Sequence, residues 1–494
     1  MKRLRMLELK TVNLKRSKVA TLVVPVCEDG DIHNDGILKK LAADAKAKAE
    51  FKGKTGDNMT FFQPEGTRIE RVVLFGLGKR ENLDAETLRA FAGKAVRFGV
   101  KAGLADLTLA TPAASAAELD AAVVFKALME GGCLGNHIFD RYKAKKDKKP
   151  LRKMVLMATA AQKKAHAGLI DTVAAVCNGS IMAREWVTTP SNDKRPAAFA
   201  SLIQQAGKAA KLKVTVKDDR WLKQQKFGAM LAVGQGSNAK PRLVTMEYAP
   251  QGAKKTVVLV GKGVTFDSGG LNLKPSGSIE TMKMDMSGAA AVAGTMLAVA
   301  RLKPQAKVVG VMPLVENMPS GTAIRPGDII RSYAGKTIEI GNTDAEGRLI
   351  LIDAMAWAVK QYEPDTMVDL ATLTGACVVA LGEKIAGVFS KDQKLADAIV
   401  TAGETTHERC WQLPLPEDYK ELLKNDFADL NNISNGRWGG AITAALFLSE
   451  FVGDTSWAHI DIAGPAWSQK PTDYCGAGGT GFGVRLLCDL LERI

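Results

Sequence analysis

Four short, predominantly apolar runs in the second half of the sequence constrain the fold more than any other feature. They lie at residues 257–260, 308–314, 367–370 and 458–462. Runs of this kind, which do not alternate regularly with polar residues, are typical of strands buried on both faces of a sheet. Helical patterns separate the runs, at residues 287–302, 347–359 and 441–451. Because helices between strands are the usual crossovers of parallel sheets, we predict an α/β fold whose larger C-terminal domain has a mixed, largely parallel sheet.

The first part of the chain shows a similar alternation. Its β-rich runs lie at residues 20–26, 70–76, 106–110 and 154–158, with Ala- and Lys-rich helical stretches between them. We therefore predict a smaller α/β domain at residues 1–160. Residues 161–190 are predicted to form a linker helix, which Pro190 ends, and residues 191–494 to form the C-terminal catalytic domain. A chain of 494 residues is long enough for two such hydrophobic cores to fold without stabilising disulfides or structural metals.

The cysteines and the apolar stretches bear on where the chain resides. The seven cysteines are scattered and include no C-x-x-C pair, which favours a reducing compartment, so we expect a cytoplasmic protein. No export signal is visible at the amino terminus. The longest apolar stretch, residues 286–300, falls short of the about 20 residues that cross a bilayer, so we expect no membrane contact.

The charge is uneven along the sequence. The chain has 67 Lys and Arg against 53 Asp and Glu, a net charge of +14, and the excess lies in the amino-terminal half. Its densest patch, residues 141–153, is either a solvated loop or a contact for phosphates. A DNA-binding role of this half, alongside or instead of catalysis, therefore stays open.

Several familiar catalytic signatures are absent. The five histidines are far apart, and His407 is followed by Trp411 where a zinc helix of the H-E-x-x-H type needs a second histidine. His459, inside a predicted strand, is expected to be a core residue. Phe266 stands in place of the third glycine of a dinucleotide fingerprint, and Ile330 in place of the first glycine of a phosphate loop. These patterns argue against a histidine zinc peptidase and against nucleotide binding.

What remains is a set of acidic residues among glycines, each beside a hydrophobic element: Asp267, Asp285, Asp344 and Glu346. Asp344 and Glu346 are two residues apart, so in an extended segment both would reach one point. Two carboxylates about 4 Å apart repel by about 4 kcal/mol at an effective dielectric near 20, so four that converge need cations. Two divalent metals would supply that charge and could activate a water, which predicts a hydrolase. The alternative is that these acids are separate helix caps and turn residues.

Five segments resemble a known family. They are 342–349 (NTDAEGRL), 369–375 (DLATLTG), 439–445 (GGAITAA), 459–464 (HIDIAG) and 479–486 (GTGFGVRL). They are similar to the leucyl aminopeptidases, a family of cytosolic, di-metal, hexameric aminopeptidases, and the octapeptide at 342–349 matches the signature of that family. The resemblance covers the chain from about residue 178 to its end.

The resemblance implies a role for individual residues. It assigns two divalent ions, Zn or Mn, to five ligands: Lys262, Asp267, Asp285, Asp344 and Glu346. Asp267 and Glu346 would contact both ions, and Lys262 would have to be neutral in order to coordinate. Two catalytic residues are implied as well. Lys274 would donate a hydrogen bond to the oxygen of the scissile carbonyl, and Arg348 would hold a bicarbonate that acts as general base.

The resemblance also implies the substrate. It places the first side chain of a peptide among Met282, Thr372, Gly375 and Ala463, with the backbone of Leu373 positioning the peptide. An apolar lining favours leucine and other apolar residues. Ala466 departs from the family pattern, where a larger apolar residue is usual, and would widen this pocket. We therefore expect a metal-dependent aminopeptidase that acts on short peptides as a homohexamer. A phosphate-ester hydrolase shares the two-metal logic and is the remaining enzymatic alternative.

Overall fold

The structure, a computed structural model, describes residues 6–434 and 436–494. Contacts divide the chain into two compact units. One contains the residues up to Cys177 together with Lys470–Ala477, and the other contains Asn178–Gln469 and Gly478–Ile494. The predicted division at residues 160 and 190 stays a proposal about which segments fold independently.

The first unit is built on one six-stranded sheet. Its strands are β1 (Leu7–Lys10), β2 (Val19–Cys27), β3 (Asn58–Phe62), β4 (Ile69–Gly78), β5 (Asp106–Leu109) and β6 (Lys153–Met157). Its helices are α1 (Gly36–Lys46), α2 (Ala85–Lys101), α3 (Ala114–Ala117), α4 (Ala121–Gly135) and α5 (Ala160–His166). The strand order is β1-β6-β5-β2-β4-β3, and only the pairing of β3 with β4 is antiparallel. The four predicted runs are β2, β4, β5 and β6, while the short edge strands β1 and β3 were missed.

The predicted linker corresponds to two helices. After α5 a second helix, α6 (Leu169–Thr188), carries the chain across the division between the units. The break between the two helices at Ala167–Gly168 was not predicted.

The second unit contains the larger sheet. Its helices are α7 (Pro196–Ala209), α8 (Asp219–Gln224), α9 (Gly228–Gly234), α10 (Ser287–Leu302), α11 (Glu346–Tyr362), α12 (Gly375–Leu381), α13 (Gln393–Thr406), α14 (Gly440–Ser449) and α15 (Val484–Arg493). Its strands are β7 (Lys213–Lys217), β8 (Arg242–Tyr248), β9 (Thr256–Gly261), β10 (Gly263–Asp267), β11 (Lys307–Asn317), β12 (Ile329–Arg331), β13 (Thr337–Glu339), β14 (Thr366–Ala371), β15 (Ala386–Ser390), β16 (Cys410–Gln412), β17 (Leu430–Asn431), β18 (Ser456–Asp461), β19 (Trp467–Ser468) and β20 (Gly478–Gly479).

The four apolar runs become four neighbouring parallel strands. The main sheet has the order β16-β15-β18-β14-β9-β11-β8-β7, with β10 also paired to β11. Strands β18, β14, β9 and β11 are mutually parallel, whereas the pairings of β11 with β8, of β8 with β7 and of β15 with β18 are antiparallel. The predicted α/β fold with a mixed, largely parallel sheet is confirmed. Helices α10 and α11 pack against this sheet. Because the four central strands are parallel, their carboxyl ends lie at the same edge of the sheet.

One close approach fixes α10 beside this edge. A Cβ atom at Gly288, in the first turn of α10, would lie 2.1 Å from the carbonyl oxygen of Leu370 in β14. Only glycine allows this contact. It brings the backbone nitrogen of Ala289 to 2.8 Å from the carbonyl oxygen of Lys262, which directly follows β9. The helix start and the strand end are therefore locked together.

Two further predictions concern the whole chain. The seven cysteines are all buried and outside any disulfide, as a reducing compartment would allow, and the cytoplasmic location stays a prediction. Among the residues that the structure describes, no helix has both the length and the apolar character required to cross a bilayer.

Candidate metal and substrate site

The candidate ligands come from segments that end or follow the parallel strands. Lys262 follows β9, and Asp267 is the last residue of β10. The pairing of β10 with β11 is irregular between Val264 and Asp267, and it sets Asp267 opposite Asn317. Bulges of this kind re-aim side chains at the rim of a sheet. The sheet edge therefore delivers a lysine and a carboxylate to the same place.

The remaining acids arrive from helix starts. Asp285 lies between the 3-10 helix Ile279–Met284 and α10, and Glu346 is the first residue of α11. The expectation that Asp344 and Glu346 share one extended segment is therefore wrong for Glu346, which is already helical. They still converge, because Asp344 lies in the loop just before the helix and the first turn of α11 points back toward it.

The four carboxylates gather in one crevice. One oxygen each of Asp267, Asp344 and Glu346 lies within 4.8 Å of the others. Lys262 links this trio to the fourth acid, since its Nζ is 2.9 Å from Asp285 Oδ2 and 2.9 Å from Glu346 Oε1. All of these side chains are buried except that of Asp344, which is partly exposed. They are not separate caps pointing into solvent.

Lys274 lies against the carboxylates of Asp267 and Asp344, whereas Lys262 contacts those of Asp285 and Glu346. The Nζ of Lys274 is 2.9 Å from Asp267 Oδ2 and 2.5 Å from Asp344 Oδ1. Burial would lower the pKa of this ammonium, but the carboxylates of Asp267, Glu346 and Asp344 outweigh burial and raise it above its usual range. Lys274 is therefore a fixed positive charge at the rim of the crevice.

Burial and mutual repulsion perturb the acids as expected for converging carboxylates. Burial raises the pKa of Asp285 well above its ordinary value. Burial, Asp267 and Glu346 raise the pKa of Asp344 to about 6. The pKa of Lys262 is also raised, because Asp285, Glu346 and Asp267 outweigh its burial. That direction is opposite to the one a coordinating amine requires, so neutral Lys262 needs stronger cations beside the same carboxylates.

Glycine 347 makes room for the lysine. A Cβ atom at this position would lie 2.6 Å from both Cε and Nζ of Lys262. The first turn of α11 can therefore approach the lysine only because residue 347 has no side chain.

Arg348 lies in the first turn of the same helix and is buried. Its Nη1 donates a hydrogen bond of 2.8 Å to the carbonyl oxygen of Asn432, whereas its buried Nε has no hydrogen-bond partner among the described residues. Burial lowers the pKa of Arg348 to about 10, against the opposing effect of Glu346 and Asp461. A buried guanidinium with an unpaired N–H group is suited to bind an anion.

The predicted substrate residues lie beside the ligands. Thr372 accepts a 2.8 Å hydrogen bond from Lys262 Nζ at its carbonyl oxygen, and its hydroxyl donates to Asp285 Oδ1 at 2.7 Å. Leu373 and Ala463 are tied together, because their backbone nitrogens both donate to Asp461 Oδ1, at 3.2 and 3.1 Å. The loop after β14 and the loop after β18 therefore form one wall.

Two other predicted substrate positions have different surroundings. Met282 lies on the 3-10 helix that precedes Asp285. A Cβ atom at Gly375 would have no heavy atom within 4 Å, so this glycine borders open space. Ala466 is buried.

Sequence reasoning missed the asparagines that orient the ligands. Asn317 Nδ2 donates to Asp267 Oδ1 at 2.9 Å and to the carbonyl oxygen of Thr343 at 3.1 Å. The side chain of Asn432 accepts from Gly341 N at 2.8 Å and donates to the carbonyl oxygen of Asn342 at 2.8 Å. Asn317 had a weak signal, as a polar residue three positions after the predicted strand run 308–314; Asn432 had none, because it lies 84 residues beyond Arg348.

Over most of its length the chain is similar to known proteins. Residues 181–488 match the catalytic domain of the cytosol aminopeptidase family, and residues 23–146 match the N-terminal domain of that family. A probable cytosol aminopeptidase of Chlorobium limicola is 43% identical, over 97% of this chain and 98% of that protein. One of Geobacter sp. is 44% identical, over 95% of this chain and 94% of that protein.

The solved structures include a similar chain. The bottromycin maturation enzyme BotP in complex with Mn is 35% identical, with a TM-score of 0.85 over 97% of this chain and 99% of that one. The likeness therefore extends over both units.

Proposed function

Because the chain belongs to the cytosol aminopeptidase family and is thus an aminopeptidase, we propose that it removes leucine and other apolar residues from the amino termini of short peptides with the help of two divalent metal ions. The observation that carries the proposal is the convergence of four carboxylates and two lysines at one sheet edge.

The donor set fits metal ions. Three buried carboxylate oxygens, Asp285 Oδ2, Asp344 Oδ1 and Glu346 Oε1, accept no hydrogen bond of ordinary geometry although lysine nitrogens lie near them. Buried carboxylates are costly unless cations neutralise them, and the two lysines supply two positive charges against four carboxylates. Oxygen-rich sets suit hard or borderline ions, and the solved relative contains Mn. We propose Mn or Zn on the following ligands: Lys262, Asp267, Asp285, Asp344 and Glu346.

Two divalent ions in this position would lower the pKa of a water held between them and polarise the scissile carbonyl. The chain's own residues supply the remaining functions. Lys274, a fixed ammonium at the rim of the crevice, donates a hydrogen bond to the carbonyl oxygen as negative charge develops there. Arg348, with its unpartnered Nε, would hold a bicarbonate anion, and a base of that kind is otherwise lacking among the described side chains of the crevice.

The specificity proposal depends on the wall opposite these groups. Open space beside Gly375, with Met282, Thr372 and Ala463 around it, leaves room for an apolar side chain, while the backbone of Leu373 positions the peptide. Leucine is the preferred residue on this basis. Since pockets discriminate single methylene groups by only about 1 to 3 kcal/mol, the preference is broad.

Activity before and after metal removal tests the proposal. We expect chelation to abolish hydrolysis of leucine-p-nitroanilide, added Mn or Zn to restore it, and p-nitrophenyl phosphate to remain uncleaved. Lys274→Ala should bind metal like the wild type while losing turnover, and exposed Lys254→Ala is its matched control. Full activity of the chelated enzyme, or cleavage of the phosphate ester alone, would contradict the proposal.

Self-association is proposed on a separate observation. Large apolar side chains are strongly exposed on the catalytic unit, among them Val379, Trp411, Phe427 and Trp438. Where exposed apolar side chains form one contiguous patch, that patch usually marks an interface. We propose that these side chains are buried in the homohexamer that the sequence resemblance implies. Light scattering of the purified chain tests this, and a monomer at micromolar concentration would contradict it.

The basic patch supports the second candidate function, DNA binding. All ten residues from Arg141 to Pro150 are exposed and outside regular secondary structure. Fluorescence anisotropy with duplex DNA at several salt concentrations tests this role. A steep fall of affinity with salt is the expected signature of phosphate contacts, and absence of binding at low salt would remove the role.

A further inference from the structure

Two buried ionisable side chains outside the proposed metal site pair across neighbouring strands. Asp369 in β14 lies opposite His459 in β18, and both are completely buried. His459 Nδ1 is 2.7 Å from Asp369 Oδ1, and the indole nitrogen of Trp457 donates to the other oxygen at 2.8 Å. The imidazole also stacks on Phe389, with ring centroids 5.8 Å apart. The ring is therefore held in one orientation.

A second buried acid lies two residues further along β18. Residues two apart on a strand project to the same side, so Asp461 shares a face with His459. Asp461 accepts hydrogen bonds from the backbone nitrogens of Leu373, Thr374 and Ala463, and from the Thr374 hydroxyl at 2.7 Å. Both carboxylate oxygens accept hydrogen bonds, which favours the ionised form, whereas burial acts in the other direction and raises the pKa of Asp461 above its ordinary value. Asp461 therefore fixes the backbone where the peptide is proposed to lie.

The charges of this region balance only if His459 is protonated. Asp369 and Asp461 are negative, and the single positive charge of Arg348 also faces Glu346, so it cannot neutralise both; all four side chains are buried. A neutral imidazole would leave one buried negative charge without compensation, which is strongly unfavourable. The Cys377 thiol beside Asp461 has its pKa raised to about 12 by burial and by Asp461, so it contributes no charge near neutral pH.

The pKa of His459 moves in the direction that this balance needs. Burial lowers it, but Asp369 and Asp461 raise it by more, against the opposing charge of Arg348, so the net shift is upward. Nε2 has no hydrogen-bond partner among the described residues. The protonation state of the imidazole therefore depends mainly on Asp369 and Asp461, which favour its charged form.

We propose that His459 is a positioning residue: held by Asp369, its imidazolium keeps Asp461 ionised and so fixes the Leu373–Thr374 backbone in the conformation that receives the peptide. The inference rests on the proposed aminopeptidase function and adds a group that touches neither substrate nor metal. Loss of the proton at alkaline pH weakens peptide binding.

The test uses the Mn-loaded, full-length enzyme and two variants. His459→Gln removes the charge. Trp457→Phe is the matched control, since it removes a hydrogen bond to the same Asp369 carboxylate without changing any charge. We expect His459→Gln to raise KM for leucine-p-nitroanilide about tenfold, which is the loss of one charge-assisted interaction, with Mn content unchanged. The control should stay within about twofold. In the wild type KM should rise at alkaline pH, and this rise should be absent from His459→Gln.

A measurement without turnover protects the test from misfolding of the variant. The chain has only five histidines, so NMR of histidine labelled with nitrogen-15 can follow each ring, with the variant providing the assignment. We expect His459 to be doubly protonated at pH 7. A neutral ring at that pH, or an unchanged KM and pH profile in a folded His459→Gln, would overturn the inference. Failure of the wild type to cleave leucyl substrates would instead refute the proposed function and leave the NMR result standing.

Discussion

Replacement of Asn317 by alanine tests whether the ligands are held by their neighbours. The amide donates to Asp267 Oδ1 at 2.9 Å and to the carbonyl oxygen of Thr343 at 3.1 Å. It therefore ties the strand that ends in Asp267 to the loop that carries Asp344. Without it, the donor that Asp267 Oδ1 retains among the described residues is the backbone nitrogen of Gly269, at 3.0 Å.

The expected loss follows from these two bonds. A hydrogen bond to a charged group contributes about 1.5 to 3 kcal/mol and one to a neutral carbonyl about 0.5 to 1.5 kcal/mol. Part of this energy is lost from stability and part from metal affinity, because the free side chain of Asp267 no longer points at the ion. Groups that orient metal ligands typically change affinity by 10- to 100-fold. We expect the apparent Kd for Mn to rise by about that factor.

In the assay, Mn is titrated into protein from which a chelator has removed all metal. Binding is measured by calorimetry and by the recovery of leucine-p-nitroanilide hydrolysis. Asn238→Ala is the matched control, since Asn238 is exposed, and it should titrate like the wild type. If Asn317→Ala binds Mn as tightly as the wild type and regains full activity at the same Mn concentration, the orientation of Asp267 does not depend on Asn317 and the reasoning fails.

Three further predictions concern the same crevice. Gly347→Ala should displace Lys262, which lies 2.6 Å from the added Cβ, and lower kcat/KM at least about tenfold at equal Mn; an unchanged rate would show that the lysine moves freely. Gly375→Ala meets no atom within 4 Å, so the melting temperature should stay constant while kcat/KM falls more for leucyl than for alanyl substrates, and equal losses would place Gly375 outside the pocket. Because folding raises the pKa of Asp344 to about 6, the folded metal-free protein binds a proton more tightly than the unfolded chain does. The melting temperature of the wild type relative to Asp344→Asn should therefore fall as the pH rises from about 4 to 6. An increase over this range would contradict the assigned direction of the shift.

The sequence was informative about the fold because burial leaves a simple pattern. Strands covered on both faces must be apolar along their length, and the four runs that became β18, β14, β9 and β11 could be read without knowing their order. The edge strands β1 and β3 were missed. They are short, and β3 alternates between exposed and half-buried residues, so no continuous apolar signal marks them.

For the candidate site, the sequence indicated which residue types must meet but not how they are oriented. Acidic residues beside glycines, placed next to predicted elements, were sufficient to propose that Asp267, Asp285, Asp344 and Glu346 converge. The position of Glu346 inside the first turn of α11 was not predictable, because helix starts shift by a residue or two with the tertiary contacts that cap them. Lys262 as a ligand came from the family resemblance alone.

By itself, then, the sequence determined the class of fold, the approximate elements and the acidic composition of the crevice, since each depends on patterns between residues close together in the chain. Only the tertiary structure decided which polar groups are hydrogen-bonded to each other in and beside the crevice: Asn317 to Asp267, Asn432 to Arg348, and His459 to Asp369. These pairs are separated by 50, 84 and 90 residues. Their encounter depends on strand order and register, which are set by the packing of the whole sheet and leave no local trace in the sequence.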